Sequence, residues 1–135
     1  MRQIGLILVC AAGLLAAAEP LPEVIEFNRD IRPILADTCY ACHGPDKNQR
    51  KAGLRLDQQE GAFRNRKDVR PVVAGDLAES DLYARITSDD PDEKMPPADS
   101  QRKLSARQIV LIKKWIEQGA KWQGHWSFIA PKQLA

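Results

Sequence analysis

The chain has 135 residues, of which 44% are hydrophobic and 28% charged, and its formal net charge at pH 7 is +2. This length suffices for one small domain, and the composition is typical of a folded globular protein rather than of a disordered or membrane-embedded chain. Basic residues are mixed with acidic ones along the sequence, without a basic stripe interleaved with aromatics, so the charge pattern gives no indication of nucleic-acid binding.

Residues 1–18 have the three-part layout of a secretory signal peptide. Arg2 gives a positive start, residues 4–15 are an apolar run, and residues 16–18 are small alanines of the kind found before a cleavage site. The apolar run is too short to cross a bilayer comfortably. We therefore expect export to the periplasm or another compartment of the cell envelope, with no integral membrane span after removal of the signal.

A lipoprotein signal that uses Cys10 is the main alternative to this interpretation. Such a signal needs a small residue directly before its cysteine, and Val9 is not small. Cleavage after residue 18 removes Cys10, so the mature chain keeps only Cys39 and Cys42, in an oxidising compartment.

The first predicted helix extends from about Asp30 to about Cys42. Asp30 is a good N-cap, and Pro33 then lies in the first turn, where its missing N–H has no cost. Gly44 and Pro45 are expected to end the helix. Its apolar residues at helical spacing are Ile31, Ile34 and Leu35.

Residues 44–75 are polar and glycine-containing, and a segment of this length usually carries function or wraps a ligand. Within it, residues 53–57 alternate between apolar and other residues, which predicts a short strand, and Val72 and Val73 are its expected weak partner.

Two further helices are predicted in the second half of the chain. One extends from Ala78 to about Thr87, after a start at Asp76 or Ser80. The clearer one begins at Ser105, which forms a Ser-x-x-Gln capping box with Gln108, and ends at Gly119. The residues expected in the core are Phe27, Leu35, Leu82, Tyr83, Ile109, Ile112, Trp115 and Ile116.

The sequence at the end of the first predicted helix is Cys39-Tyr40-Ala41-Cys42-His43, a Cys-x-x-Cys-His motif that indicates c-type haem attachment. Two thiols three residues apart lie on one helix face, where each can add to one vinyl group of a porphyrin. The histidine that follows is then placed to bind the iron. Tyr40 and Ala41 are simply the residues between the two cysteines.

Other uses of the motif fit the rest of the chain less well. A zinc site needs four ligands, but the motif offers three, and the chain has one other histidine, His125, and no second cysteine pair. A thioredoxin-like redox pair needs a βαβ setting that the pattern does not predict. A structural disulfide would leave His43 unexplained.

The second axial ligand is predicted to be Met95. Electron-transfer haems usually have both axial positions filled, commonly by His and Met. Met95 is the single methionine left after the signal is removed, and the two prolines that follow it favour an extended backbone. The alternatives are that Met95 fills a gap in the core, or that His125 is the ligand. Arg55 and Lys94 are candidates for neutralising a propionate of the haem, although a solvated charge is the expected state of each.

Several motifs together resemble the planctomycete-type cytochrome c domain. They extend from about Phe27 to Phe128, and they are Phe27-Asn28-Arg29-Asp30-Ile31-Arg32-Pro33-Ile34-Leu35, Cys39 to Pro45, Gly53-Leu54-Arg55-Leu56-Asp57, Gly75-Asp76 to Leu82-Tyr83, Met95-Pro96-Pro97, Leu104-Ser105 and Trp115 to Ala120. The resemblance implies a haem c domain with Met95 at the distal position, in a setting where longer exported relatives carry further domains.

We therefore expect an all-α fold, a small cytochrome c-like domain of three or four helices wrapped around one thioether-linked haem. The domain covers residues 27–120, and residues 121–135 form a tail or a junction to a further domain. The expected function is one-electron transfer with an unidentified redox partner and without catalysis by this chain. The alternatives are a five-coordinate haem sensor or peroxidase-like site, and a structural haem module of a larger exported enzyme.

Overall fold

A computed structural model describes residues 19–66, 69–125 and 127 of the chain. The expected signal peptide, its Cys10 and most of the tail after residue 125 lie outside this range, so these predictions stay untested. Among the helices that the structure describes, none is long and apolar enough to cross a membrane.

The described part of the chain is all-α, as expected, and contains no strand. The chain begins its helical part with a π-helical turn at Phe27–Ile31 and then forms five α-helical segments. These are α1 Arg32–Thr38, α2 Tyr40–His43, α3 Gln59–Phe63, α4 Asp81–Thr87 and α5 Ala106–Glu117. This is more than the three or four helices expected, because α2 is a short continuation of α1 and α3 was not predicted.

The first helical region starts three residues earlier than predicted. Asp30 does not cap it but lies inside the π-helical turn, where its carboxylate accepts a hydrogen bond of 2.8 Å from the backbone N–H of Glu26. Pro33 does lie in the first turn of α1, as predicted. The side chain of Asp30 thus satisfies a donor one turn back and draws Phe27 into the helical segment.

The strand predicted at residues 53–57 does not form, and this prediction was wrong. Ala52 and Gly53 both have positive φ, at 50° and 60°, so the backbone turns here instead of extending. The N–H of Leu56 then donates to the carbonyl of His43, at 2.8 Å, and Leu56 is buried. The alternating pattern therefore marks a loop that folds back on the end of α2.

Helix α5 begins and ends as the sequence predicts. The Ser105 side chain accepts from the N–H of Gln108, and the Gln108 side chain accepts from the N–H of Ser105, which completes the capping box. Gly119 follows the helix with a φ of 92°, a conformation that favours glycine. Helix α5 packs against the π-helical turn and against α4.

An aromatic core joins α5 to the start of the domain. Phe27 stacks on Trp122 with ring centroids 3.9 Å apart and contacts Trp115 at 5.5 Å, and Phe63 of α3 meets both tryptophans edge-on. Of the eight predicted core residues, Phe27, Leu35, Ile112, Trp115 and Ile116 are buried, whereas Leu82, Tyr83 and Ile109 are partly buried against them.

Candidate functional site

The junction between α1 and α2 carries the two cysteines. Cys39 ends α1 and precedes α2, and the N–H groups of Cys39 and His43 still donate to carbonyls four residues back, each at 2.8 Å. Cys39 and Cys42 therefore keep the spacing of one helical turn. Both thiols are free, with Cys39 buried and Cys42 exposed, so the disulfide alternative is not present in this structure.

The buried Cys39 thiol is held close to a hydroxyl group. The Sγ of Cys39 lies 3.3 Å from the Oγ1 of Thr38, which also donates to the carbonyl of Ile34. Burial raises the pKa of Cys39, and the hydrogen bond with Thr38 opposes this change. The thiol is thus kept neutral near neutral pH, which suits a position in an apolar wall.

His43 is fixed through its backbone by the loop that follows it. The carbonyl of Cys42 accepts from the N–H of Lys51 at 2.8 Å, and the carbonyl of His43 accepts from Leu56. The imidazole Nδ1 is buried and has no hydrogen-bond partner. A buried ring nitrogen without a partner is uncommon in a folded protein, so it marks His43 as a candidate ligand of a bound group.

The pKa of His43 is lowered from its usual value, first because burial disfavours the charged ring and also because of the positive charge of Arg85. The backbone of Lys51 raises the pKa of His43, although it forms no hydrogen bond with Nδ1. The ring is therefore neutral near neutral pH, and a neutral imidazole is the form that binds a metal.

Met95 belongs to a loop that is tied to α4. Its N–H donates to the carbonyl of Arg85 at 3.0 Å, and the turn before it is closed by hydrogen bonds from Glu93 and Lys94 to the carbonyl of Asp90. The peptide bond between Met95 and Pro96 is cis. Met95 is half-buried rather than packed in the core, which does not favour the gap-filling alternative.

The structure brings these side chains together around one cavity. A cavity of about 230 Å³ is lined by all four predicted site residues, Cys39, Cys42, His43 and Met95. The rest of its wall is largely apolar and includes Leu54, Leu56, Leu82, Ile86, Pro96 and Pro97.

A second, wider cavity of about 1010 Å³ adjoins the first. The two share a wall of six residues, His43, Leu54, Pro71, Asp81, Arg85 and Met95. Each cavity is lined by side chains from several segments of the chain, which is typical of a binding site for an organic cofactor. Leu54, Pro71, Asp81 and Arg85 were not predicted as site residues. Nothing in their sequence pattern marks them, because they are brought together by the loops after α2 and α3 and by α4.

Charged groups gather at the wider cavity. Arg55 lines it and forms a two-pronged ion pair with Asp57, with distances of 2.7 and 2.5 Å. Burial raises the pKa of Asp57, but the hydrogen bond from Arg55 and the nearby positive charges outweigh this effect and lower it overall. Lys94 is exposed and lines neither cavity. Arg55 is thus half-buried and paired with Asp57 rather than the solvated charge that we expected.

Two further features bear on the alternative ligands. His125 is exposed, lines neither cavity, and has its Nδ1 2.7 Å from the Oγ of Ser127. Between residues 19 and 125, leaving out 67 and 68, no three His, Cys, Asp or Glu side chains are grouped as a metal site. The only pair of thiols among the described residues is therefore not joined by the carboxylates or second histidine that zinc would need.

Comparison with known proteins gives one result that bears on this site. Residues 39–99 match the family model described as planctomycete cytochrome C. The match begins at the first cysteine of the motif and includes Met95. No curated protein and no solved structure matches the chain.

The match over residues 39–99 to a cytochrome c family implies a covalently bound haem c, and the described residues fit that group. Two free thiols stand one helical turn apart on the wall of an apolar cavity. Beside them lies a neutral imidazole with a buried, unpartnered nitrogen, and the same wall carries a thioether. These are the donor types that thioether attachment and axial ligation require.

Proposed function

Because this chain carries a planctomycete-type cytochrome c domain, we propose that it is an exported electron carrier that holds one haem c. Cys39 and Cys42 would bind it through thioethers, and His43 and Met95 would bind its iron. When bound, the haem would supply one-electron cycling between Fe(III) and Fe(II).

One observation carries this proposal. The two thiols, the imidazole and the thioether line a single apolar cavity, although Met95 comes from a different part of the chain than the motif. The loop containing Met95 is anchored to α4 through Arg85, whereas His43 is anchored to the loop after α2. Two independently anchored segments thus present a nitrogen and a sulfur donor to the same space.

The surrounding residues prepare these donors. Burial keeps the ring of His43 neutral, so no proton has to leave before it can bind iron. Leu54, Leu56 and Ile86 contribute apolar side chains to the wall of the smaller cavity. Apolar surroundings favour the less charged ferrous state, and the ligands and nearby charges also set the reduction potential.

Ligation by both His43 and Met95 would leave no open position on the iron for a substrate. We therefore propose electron transfer rather than catalysis by this chain. A five-coordinate sensor or peroxidase-like site would require that Met95 does not bind, and carbon monoxide binding to the reduced native protein would reveal it.

The attachment is tested by comparing the exported protein with a variant in which Cys39→Ala and Cys42→Ala are combined. The expected result is a pyridine haemochrome spectrum of thioether-linked haem for the wild type, and no haem resistant to acidic organic solvent in the variant. A matched control is Thr38→Val, which keeps both thiols and should keep covalent haem. Covalently bound haem in the double variant would show that the anchor is elsewhere.

A further inference from the structure

The two cavities differ in the charges on their walls. Arg55, Arg64 and Arg66 line the wider cavity and not the smaller one, while Cys39 and Cys42 line the smaller cavity and not the wider one. The thiols and these three guanidinium groups therefore belong to different, adjoining cavities, and His43 and Met95 are part of the wall that the two cavities share.

Two of the cations near this space already have partners. Arg55 is held by the carboxylate of Asp57, at 2.7 and 2.5 Å. Arg85, on the shared wall, donates to the carboxylate of Asp81 at 2.9 Å and to the carbonyl of Glu93 at 3.4 Å. Each of these two guanidinium groups thus already has a carboxylate as its counter-ion.

Arg64 and Arg66 differ from them. Neither guanidinium group forms a hydrogen bond or an ion pair with any residue in the described ranges 19–66 and 69–125. Arg66 is half-buried, and it lies over the turn at Gly53, where an added Cβ would be 2.9 Å from its Nη2. The absence of a side chain at Gly53 therefore gives Arg66 room to reach across this turn beside the cavity.

A haem also differs in chemistry from one edge to the other. Its vinyl groups, which react with the thiols, and its two negatively charged propionates lie on different edges of the ring. Resting on the proposed function, we propose that Arg64 and Arg66 bind the propionate carboxylates. Planar guanidinium groups suit this role because they donate two parallel hydrogen bonds to one carboxylate.

Two cations of the smaller cavity are the alternative candidates for binding the propionates. Lys51 and Arg102 line the smaller cavity and not the wider one, on the side of the thiols. The Nε of Arg102 donates to the carbonyl of Asp37 at 2.8 Å, which ties this guanidinium group to α1. A porphyrin anchored by its vinyl edge at Cys39 and Cys42 would direct its opposite edge away from these two cations.

The test uses the exported holoprotein with haem that carries ¹³C at the propionate carboxyl carbons. Infrared difference spectra between oxidised and reduced protein then report the carboxylate bands directly. Arg64→Gln and Arg66→Gln, singly and together, are each expected to shift these bands. Each should also lower the reduction potential, because loss of a nearby positive charge makes reduction to the ferrous state less favourable. The change in potential should decrease as salt is added, since Arg64 is exposed.

Three control variants keep the result specific. Arg66→Lys retains the positive charge but not the planar guanidinium group. Its reduction potential should therefore stay close to that of the wild type, while the carboxylate bands should still shift. Arg102→Gln removes a cation of the smaller cavity, and Arg70→Gln removes one that lines neither cavity and pairs with Glu79. Neither of these two should move the carboxylate bands.

The outcomes separate this inference from the proposed function. Wild-type protein without covalent haem would contradict the proposed function itself. Normal covalent haem with unchanged bands in the Arg64→Gln and Arg66→Gln double variant would overturn only the propionate assignment. Band shifts in Arg102→Gln alone would overturn it as well, and would place the propionates on the side of the smaller cavity.

Discussion

The aromatic core and the cavity wall are stabilised in different ways. The aromatic core, Phe27, Phe63, Trp115 and Trp122, is filled by its own rings, with centroids between 3.9 and 6.3 Å apart. The cavity wall, His43, Leu54, Pro71, Asp81, Arg85 and Met95, is shared by two adjoining cavities, and half of its residues come from loops and half from α2 and α4. One region is filled by the protein's own side chains, and the other, under the proposed function, is filled by haem.

The largest expected effect of this difference is on the protein without haem. Because a haem is packed against the cavity walls only in the folded state, the Cys39→Ala and Cys42→Ala double variant, freed of haem, should lose most of the cooperative thermal transition of the holoprotein. Hydrogen exchange should show that the amides of Leu56 and Met95 lose protection first, while amides of α5 keep more of it. Nearly identical calorimetric transitions with and without haem would contradict the distinction between the two regions.

Removal of a ring from the aromatic core should destabilise the holoprotein without changing the haem environment. Trp115 is almost fully buried, so Trp115→Ala should lower the free energy of unfolding by about 3–5 kcal/mol. The matched control is Val110→Ala on the same helix, where the side chain is 40% exposed and the expected change is within about 0.5 kcal/mol. Denaturant titration measures both, and a changed haem spectrum in Trp115→Ala would show that the two regions are coupled.

A smaller effect is expected from acid at the edge of the cavity wall. The pKa of Asp57 is lowered in the folded protein, mainly through Arg55 acting against burial. The ion pair therefore contributes stability above the unfolded pKa of Asp57, and this contribution is lost as the pH falls through the lower, folded pKa. Asp57→Asn should make the holoprotein less stable near neutral pH and flatten its loss of stability in acid.

The control for this pH dependence is Asp92→Asn, which removes a carboxylate from an exposed position of the loop before Met95. Thermal unfolding as a function of pH measures both variants. An acid profile of Asp57→Asn equal to that of the wild type would show that the ion pair with Arg55 does not contribute to stability.

The parts of the structure that follow from local patterns were predictable from the sequence. The capping box of Ser105 and Gln108 depends only on residues three apart, and it was predicted correctly together with the end of α5 at Gly119. The burial of Phe27 and Trp115 also follows from the apolar pattern.

The parts that depend on long-range contacts were not predictable. The pattern of residues 53–57 indicated a strand, but the positive φ of Ala52 turns the chain back onto His43. Asp30 was expected to cap a helix, yet it lies inside the π-helical turn. Nothing local in the sequence distinguishes Arg66 from Arg70, although the fold places one beside the cavity and pairs the other with Glu79.

The proposed electron transfer requires that Met95, a residue of the cavity wall, binds the iron. The absorption spectrum of Met95→Ala tests this most directly. Ferric wild-type protein should show the weak long-wavelength band of sulfur-to-iron charge transfer, and its reduced form should not bind carbon monoxide. Met95→Ala should lose the band, bind carbon monoxide and have a lower reduction potential, because a thioether ligand raises the potential. His125→Ala should retain the wild-type spectrum. A band that persists in Met95→Ala, or that disappears in His125→Ala, would contradict ligation by Met95.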